Sequence, residues 1–442
     1  MPFLGPVLVL LFFVSRFYDK ALVTLPSFDG APSTPSSSES PEPEKAEKPD
    51  RPPQEVGHPI AGYTEGAYDE IFSVSTPDKK YFKIVFDKKQ SINPNAIPHP
   101  FLDDTWVIVS QLQRSDVKNS VWFAELVCNA AFKDGNLSCV EAPSILPLTK
   151  TPGGEKCREK LAYFQLSVGP HDARVFYGPT TPYVIYGSTS QFTCFGEWMM
   201  DFRLMMDWGL ELFDKEQFRL PTEIQRPKPY GVVEKNFFVF WDKNEELYGH
   251  YDIAPNRAFA QLSNDGSVGP DLAPKTAASD EKCMAKYFPK LDPETESIHQ
   301  ATNSLSITLC KRSDPACKPD DSNTFIMTIF QHKKWYNWHG VYEPYVMLFQ
   351  QTAPFAVHGI STKPIWISGR GKPHEWVGAN VGGKDQTQMF YVTSISWKKH
   401  GQKYHGYIDD VMFVLFGIED ADTGGIDVTA GDLVKGLGLC AS

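Results

Sequence analysis

From Tyr68 onward the chain repeats one pattern: a short apolar or alternating run, then a cluster of Gly, Pro, Asn or Asp. The runs include Thr105–Gln111, Ser120–Leu126, Tyr183–Ser188, Phe237–Trp241, Leu305–Cys310, Phe325–Phe330, Tyr345–Phe349, Met389–Ser394 and Val411–Gly417. They are strand-length, rich in Val, Ile, Phe and Tyr, and bounded by residues that favour turns, so each reads as a β-strand. The segment 200–213 is apolar on several faces and reads as a helix or a long strand pair. Many short strands with irregular loops predict a sandwich, a barrel or a propeller. No strict internal repeat appears, which argues against a WD-type propeller.

The amino-terminal region has a different pattern. Pro2–Val14 is almost wholly apolar. It is shorter than the ~20 residues a spanning helix needs, and its length suits a signal h-region. Arg16 and Lys20 follow it, and no basic stretch precedes it. Residues 1–25 are read as a signal anchor, with a signal peptide as the alternative. Residues 26–60, rich in Pro, Ser, Glu and Lys, have too little apolar surface to offset ordering entropy and are read as a disordered stem. Residues 61–442 are left as one folded domain. Anchor, stem and lumenal domain together point to a Golgi or other secretory-pathway membrane protein, with secretion as the alternative.

Composition narrows the function. Of 442 residues, 41% are hydrophobic and 13% aromatic, enough for a substantial core. The formal net charge of −11 and the lack of a basic stripe exclude a nucleic-acid surface. Eight cysteines show no CxxC or Cys/His zinc spacing, so no metal or cofactor is expected. Two pairs, Cys128/Cys139 and Cys310/Cys317, are close in sequence and suit local disulfides. Asn136-Leu137-Ser138 is an N-glycosylation sequon.

Four segments set polar residues against strands. They are Asn93–Pro100, Gly169–Arg174, Glu234–Phe238 with His250–Pro255, and Phe416–Asp422. Asp172, beside Arg174, is the candidate acid or base for glycosyl transfer; a structural ion pair is the alternative. Lys235, His299, His332 and Lys333 are candidates for holding phosphate, and Asp420 for sugar hydroxyls. Asn95, His99, Asn236, Asp252 and Asn303 complete the candidate substrate-binding set. Asp201 and Arg203 either line the site or pair with each other, with pairing favoured. Asp420-Ala421-Asp422 is too common a pattern to imply a metal, and the glycines at 369–371 and 382–383 lack the Lys-Ser/Thr of a P-loop.

In order and spacing, three of these segments resemble motifs of β-mannoside phosphorylases and hydrolases and related mannosyltransferases. They are Gly169-Pro170-His171-Asp172-Ala173-Arg174, Glu234-Lys235-Asn236-Phe237 with Tyr251–Pro255, and Phe416-Gly417-Ile418-Glu419-Asp420. That group carries Glu-Asp-Pro-Arg, a Lys-Asn-hydrophobic strand followed by a His/Arg…Pro strand, and a Tyr-Gly-Ala-Ala-Asp ending. The similarity spans approximately Asn93 to Leu433. It departs at His171, at Ala173 and across Ile298–Cys317. The resemblance implies an all-β fold, a five-bladed β-propeller. It also implies transfer of a hexose, mannose favoured, from a nucleotide sugar or sugar phosphate to a glycan acceptor. The alternatives are a secreted glycoside hydrolase or phosphorylase on the same fold and a non-catalytic glycan-binding propeller.

Overall fold

The computed structural model describes residues 63–113, 123–148, 151–166, 169–206, 218–336, 339–376 and 385–440. The expected anchor and stem lie outside them, as do most of the 200–213 segment and the start of the Ser120–Leu126 run. Among the described residues the fold is almost entirely β. Strands form a four-stranded, a three-stranded, a seven-stranded and a nine-stranded sheet, plus a parallel pair, Asp69–Ile71 with Ile365–Ile367.

Within the sheets, consecutive strands pair antiparallel as meanders. The first meander runs Ser91–Pro98, Trp106–Leu112, Glu125–Lys133 and Asn136–Cys139. The second runs His171–Tyr177, Pro182–Thr189, Phe195–Asp201 and Thr222–Glu223. The third is Phe238–Trp241, Leu247–Asp252 and Ala258–Gln261. The fourth is Leu305–Thr308, Thr324–Tyr336, His339–Gln350 and Val357–Ser361, flanked by Glu296–Gln300 and Leu437–Leu439. The fifth is Phe390–Trp397, Val411–Ile418 and Asp422–Thr429. Its next strand, Phe82–Val85, comes from the other end of the described chain. That strand pairs antiparallel with Asp422–Thr429 and parallel with Asn136–Cys139, joining the first and fifth meanders into the nine-stranded sheet.

Middle strands are buried on both faces, which explains their unbroken apolar runs. Every residue of Pro182–Thr189 is buried, and all of Val411–Ile418 except Val411. The first strands of the meanders are bridged by polar side chains. Asn95 donates to the Ala173 carbonyl at 2.8 Å, Arg174 Nη2 to Asn236 Oδ1 at 2.5 Å, and Ser304 to the Val239 carbonyl at 2.7 Å. Gln331 and Asn303 bind the backbone of Val392 and Ile395, and Thr393 donates to the Pro94 carbonyl at 2.9 Å. The circuit returns to the first meander. Edge backbone groups that no neighbouring strand reaches are thereby satisfied.

All eight cysteines pair. Cys128–Cys139 and Cys310–Cys317 are the two local disulfides, and Cys157–Cys194 and Cys283–Cys440 are long-range. Four disulfides point to an extracellular or secretory-pathway protein. Among the described residues no helix is long and apolar enough to cross a membrane. The α-helix Ala277–Tyr287 carries Asp280 in its first turn and Lys286 in its last, each suited to the helix dipole, and ends just before Pro289. The third strand of the second meander ends at Asp201 and a 3-10 turn, Phe202–Met205, follows it; the rest of the 200–213 segment lies outside the described residues.

Candidate functional site

Asp172 sits in a β-bulge. Its strand pairs His171 with Gly187 and then Arg174 with Ile185, so Asp172 and Ala173 lie opposite the single residue Tyr186. Asp172 has φ 51°, in the left-handed region that Asp and Asn tolerate better than most residues. The bulge frees two backbone N–H groups from the ladder. Gln111 Oε1 accepts the Asp172 N–H at 2.9 Å, and Glu125 Oε1 accepts that of Ala173 at 3.1 Å. Both acceptors belong to the first meander, so the bulge is held from the neighbouring sheet. Burial pushes the Glu125 carboxyl well above its usual range; the Ala173 N–H opposes this and the Asp172 charge adds to it.

Asn93 has φ 58° at a register shift in the first strand of its own meander. Its Nδ2 donates to Asp172 Oδ1 at 2.7 Å. A Cβ on Gly417 would stand 2.8 Å from Asn93 Oδ1, so the absence of a side chain there makes room for this contact. Asn236 has φ 65° ahead of the third meander, and Glu419 and Asp420 have φ 53° and 49° in the turn between the last two strands of the fifth. Asn93, Asp172, Asn236, Glu419 and Asp420 thus all carry left-handed backbone, which turns the chain at the strand ends near Asp172.

Arg174 links the second and third meanders. Asn236 Oδ1 accepts from its Nη2, so Asn236 Nδ2 faces His299 Nε2 at 3.2 Å. His299 Nε2 therefore accepts, and the Tyr391 hydroxyl donates to it from 3.0 Å. This places the imidazole proton on Nδ1. Desolvation, with Lys333, Lys235 and Arg174 nearby, lowers the His299 pKa to about 3, so the ring is neutral. Burial likewise holds the Tyr391 phenol well above its usual value. Glu197 accepts the Asn236 N–H at 2.6 Å and lies 3.8 Å from Arg174. Burial pushes its carboxyl up to about 7, against the pull of Arg174.

Asp172, Arg174, Glu197, Lys235 and Asn236 line one small cavity. Arg174 Nη1 and Glu197 Oε2 are buried there without a hydrogen-bond partner among the described residues. Asp420 and Lys333 complete the charge pattern. The Asp420 carboxyl is raised by desolvation and by the charges of Asp172 and Glu419. The Lys333 ammonium is lowered by desolvation and by Lys235, with Asp420 opposing. Asp172 and Lys235 are among the charges that shift His299, Lys333 and Asp420, so the five groups share one electrostatic neighbourhood. The arrangement sets three carboxyl groups (Asp172, Glu197 and Asp420), three cations and a neutral imidazole in and around a polar cavity. That set suits proton transfer next to a bound anion or polyol.

The remaining sequence-named residues lie elsewhere or have structural partners. Asn95 is buried as a strand bridge, bonded to the Asn93 and Ala173 carbonyls. His99 lies past the far end of the first strand, about 20 Å of extended chain from Asn93, and its Nδ1 accepts the N–H groups of Phe101 and Leu102. Asp201 is four residues along its strand from Glu197 and makes a bidentate pair with Arg203, its shortest contact 2.6 Å, as the favoured alternative had it. Asn303 ties Ile395 to the fourth meander. His332 alternates to the face opposite Lys333 and pairs with Glu296 at 2.8 Å. Asp252 is held by Arg226 at 2.5 Å, and Arg226 also pairs with Glu234 at 3.0 Å. Gln111, Glu125, Glu197, Tyr342 and Tyr391 were not singled out in the sequence, and Asn93 entered only as the first residue of the Asn93–Pro100 segment. Only Asn93 carried a signal, an Asn-Pro pair inside a strand.

No family model and no curated protein sequence matches this chain. The structure is similar to solved structures of carbohydrate-active enzymes. One is a β-1,2-mannobiose phosphorylase from Listeria innocua, at TM-score 0.43 and 10% identity, covering 86% of this chain and 99% of that one. Another is a GDP-Man-dependent mannosyltransferase from Leishmania mexicana, at TM-score 0.40 and 10% identity, covering 82% and 91%. A third is the GH62 α-L-arabinofuranosidase catalytic domain from Coprinopsis cinerea, at TM-score 0.39 and 9% identity, covering 79% and 97%.

Proposed function

We propose that this protein is a carbohydrate-active enzyme that transfers a hexose, mannose favoured, from a phosphorylated donor to a glycan. In this reading each of the five meanders is one blade of a propeller. The observation that carries it is Asp172, lifted out of its strand by a bulge braced from the next meander, beside Arg174, Lys235 and neutral His299. Asp172 serves as the proton-transferring group. Asp420, whose carboxyl is raised, binds sugar hydroxyls close to it. Lys235 and Lys333 hold the donor phosphate, and His299, with its proton on Nδ1, keeps Asn236 and Tyr391 in place. The apolar segment 1–25 and the stem 26–60 support a domain tethered in the Golgi or a related compartment. In a secreted phosphorylase on the same fold these cations would hold free phosphate, and in a hydrolase water would take the glycosyl group in its place.

The decisive experiment is Asp172→Asn, with turnover and melting temperature measured on one preparation against a panel of nucleotide sugars and sugar 1-phosphates. General acid–base catalysis is worth about 10²–10⁴-fold, so a rate loss of that size with an unchanged melting point is expected. A well-folded variant of near-normal rate removes Asp172 from the mechanism. Turnover with phosphate or water and none with nucleotide sugars selects the phosphorylase or hydrolase reading.

A further inference from the structure

The fourth meander has the longest strands of the fold, Thr324–Tyr336 and His339–Gln350, which pair with each other as far as Tyr336 and His339. Their other neighbours stop earlier. Leu305–Thr308 covers the first strand only from Thr324 to Met327, Glu296–Gln300 covers Phe330 to Lys334, and Val357–Ser361 covers the second strand only at Met347–Phe349. Among the described residues, the pairing of Trp335 and Tyr336 with Gly340 and His339 therefore runs past the registers of the neighbouring strands, with the Trp335 N–H bonded to the Thr295 carbonyl at 3.0 Å, next to the site. Residues two apart share a face of a strand, so Lys333 and Trp335 point the same way, with their register partners Tyr342 and Gly340. Lys333 and Tyr342 already border the site. Lys333 senses Asp420 and Lys235, and the Tyr342 phenol is raised by desolvation, Asp420 and Asp172. The Tyr342 ring lies 4.9 Å from that of Tyr391.

Trp335 stands one residue pair further out and is 48% exposed, although Trp is a side chain that folds usually bury. A Cβ on Gly340 would lie 3.3 Å from the Trp335 ring, so the glycine lets the indole lie close against the partner strand. Lys333 Nζ stands 5.1 Å from the ring centroid.

We infer that Trp335, seated on Gly340, is a platform for the second pyranose ring of an oligosaccharide whose first ring occupies the Asp172 site. The step from Lys333 to Trp335 is about 6.6–6.8 Å along the strand, comparable with the length of one sugar ring. An indole face offers an apolar surface to pyranose C–H groups, and Lys333 offers a donor to the hydroxyls between the two positions. The assignment rests on the carbohydrate reading of the site.

Calorimetric titration of the full chain with mannose, mannobiose and mannotriose, and with the matching glucose and galactose series, tests it. Trp335→Ala should weaken binding of the two- and three-ring ligands about tenfold and leave the one-ring ligand unchanged. Trp335→Phe should retain most of the affinity, and Gly340→Val, which crowds the ring, should act like Trp335→Ala. Equal affinities of native protein and Trp335→Ala for every chain length overturn the platform, as does absence of binding across all three series. An Asp172→Asn rate loss with length-independent binding removes the platform and keeps the function. Trp335-dependent binding of longer ligands with Asp172→Asn fully active keeps the platform and removes the proposed chemistry.

Discussion

Asp172, Glu197 and His299 are ordinary residue types whose chemistry is set by what surrounds them. Glu197 and His299 have shifts of opposite sign, and these divide the pH dependence of stability between them. The Glu197 carboxyl rises from the usual value of 4.5 to about 7. Between those values the unfolded chain releases its proton and the folded chain keeps it, so stability falls as pH rises and this contribution is gone above about pH 7. His299 falls from 6.5 to about 3. The unfolded ring takes a proton below pH 6.5 and the folded ring does not, so stability falls as pH drops from 6.5 toward 3. Glu197→Gln is therefore expected to gain a few degrees in melting temperature relative to the native protein between pH 5 and 8. His299→Gln should gain on it between pH 6.5 and 4. Scanning calorimetry across pH checks both, and a native-to-variant difference that stays constant with pH would count against these assignments.

At the scale of elements, loops and strands are tied by disulfides of very different reach. Cys310–Cys317 closes the short loop between Leu305–Thr308 and Thr324–Tyr336. Cys283–Cys440 spans 157 residues and fixes the carboxyl-terminal strand Leu437–Leu439 to the helix Ala277–Tyr287. In the chain-entropy account a closure of the first size contributes about 2 kcal/mol and one of the second about 5 kcal/mol. Replacing Cys283 and Cys440 together by Ser should lower the urea midpoint clearly more than replacing Cys310 and Cys317. Equal losses would show that native packing around the bridges, rather than loop length, sets their contribution. The Cys310/Cys317 pair was legible from its spacing. The pairing of Cys157 with Cys194, from a loop to the start of a strand, needed the second meander to be assembled first.

For the whole molecule, closure depends on Phe82–Val85, which binds the last meander to the first. Phe82, Ile84 and Phe86 are 2%, 4% and 1% exposed. Burying such a side chain is worth about 1.5–3 kcal/mol, so the three together rival the ~5–15 kcal/mol net stability of a typical fold. Without the strand, Asp422–Thr429 also becomes an open edge. A chain beginning at Lys88 should lose its near-ultraviolet circular dichroism and aggregate on size exclusion. One beginning at Gly57 should melt as the full chain does. A compact, cooperative product from Lys88 would show that the meanders hold together without this strand.

Local pattern was enough to place the most apolar strands, such as Trp106–Leu112, Pro182–Thr189 and Val411–Ile418, because strand length, β-branched and aromatic content and turn residues all act within a few positions. More polar or Gly-rich strands such as Ser91–Pro98 and Asp422–Thr429 carried no such run. Local pattern also sufficed for the two local disulfides, and it named the three segments around Asp172, Lys235 and Asp420 on which the proposed site draws. Residues such as His99, His332 and Asn303 looked equally suitable in the sequence, since a polar residue beside a strand reads the same at either end or on either face. Only the tertiary structure separated them. Strand direction puts His99 and Asp201 at the far ends of their strands, and alternation turns His332 away from Lys333. Glu125 and Tyr391 enter the site from other meanders, Glu197 enters from another strand of Asp172's own meander, and burial shifts the protonation of all three. That burial follows from how the sheets pack against one another, and no single strand encodes it.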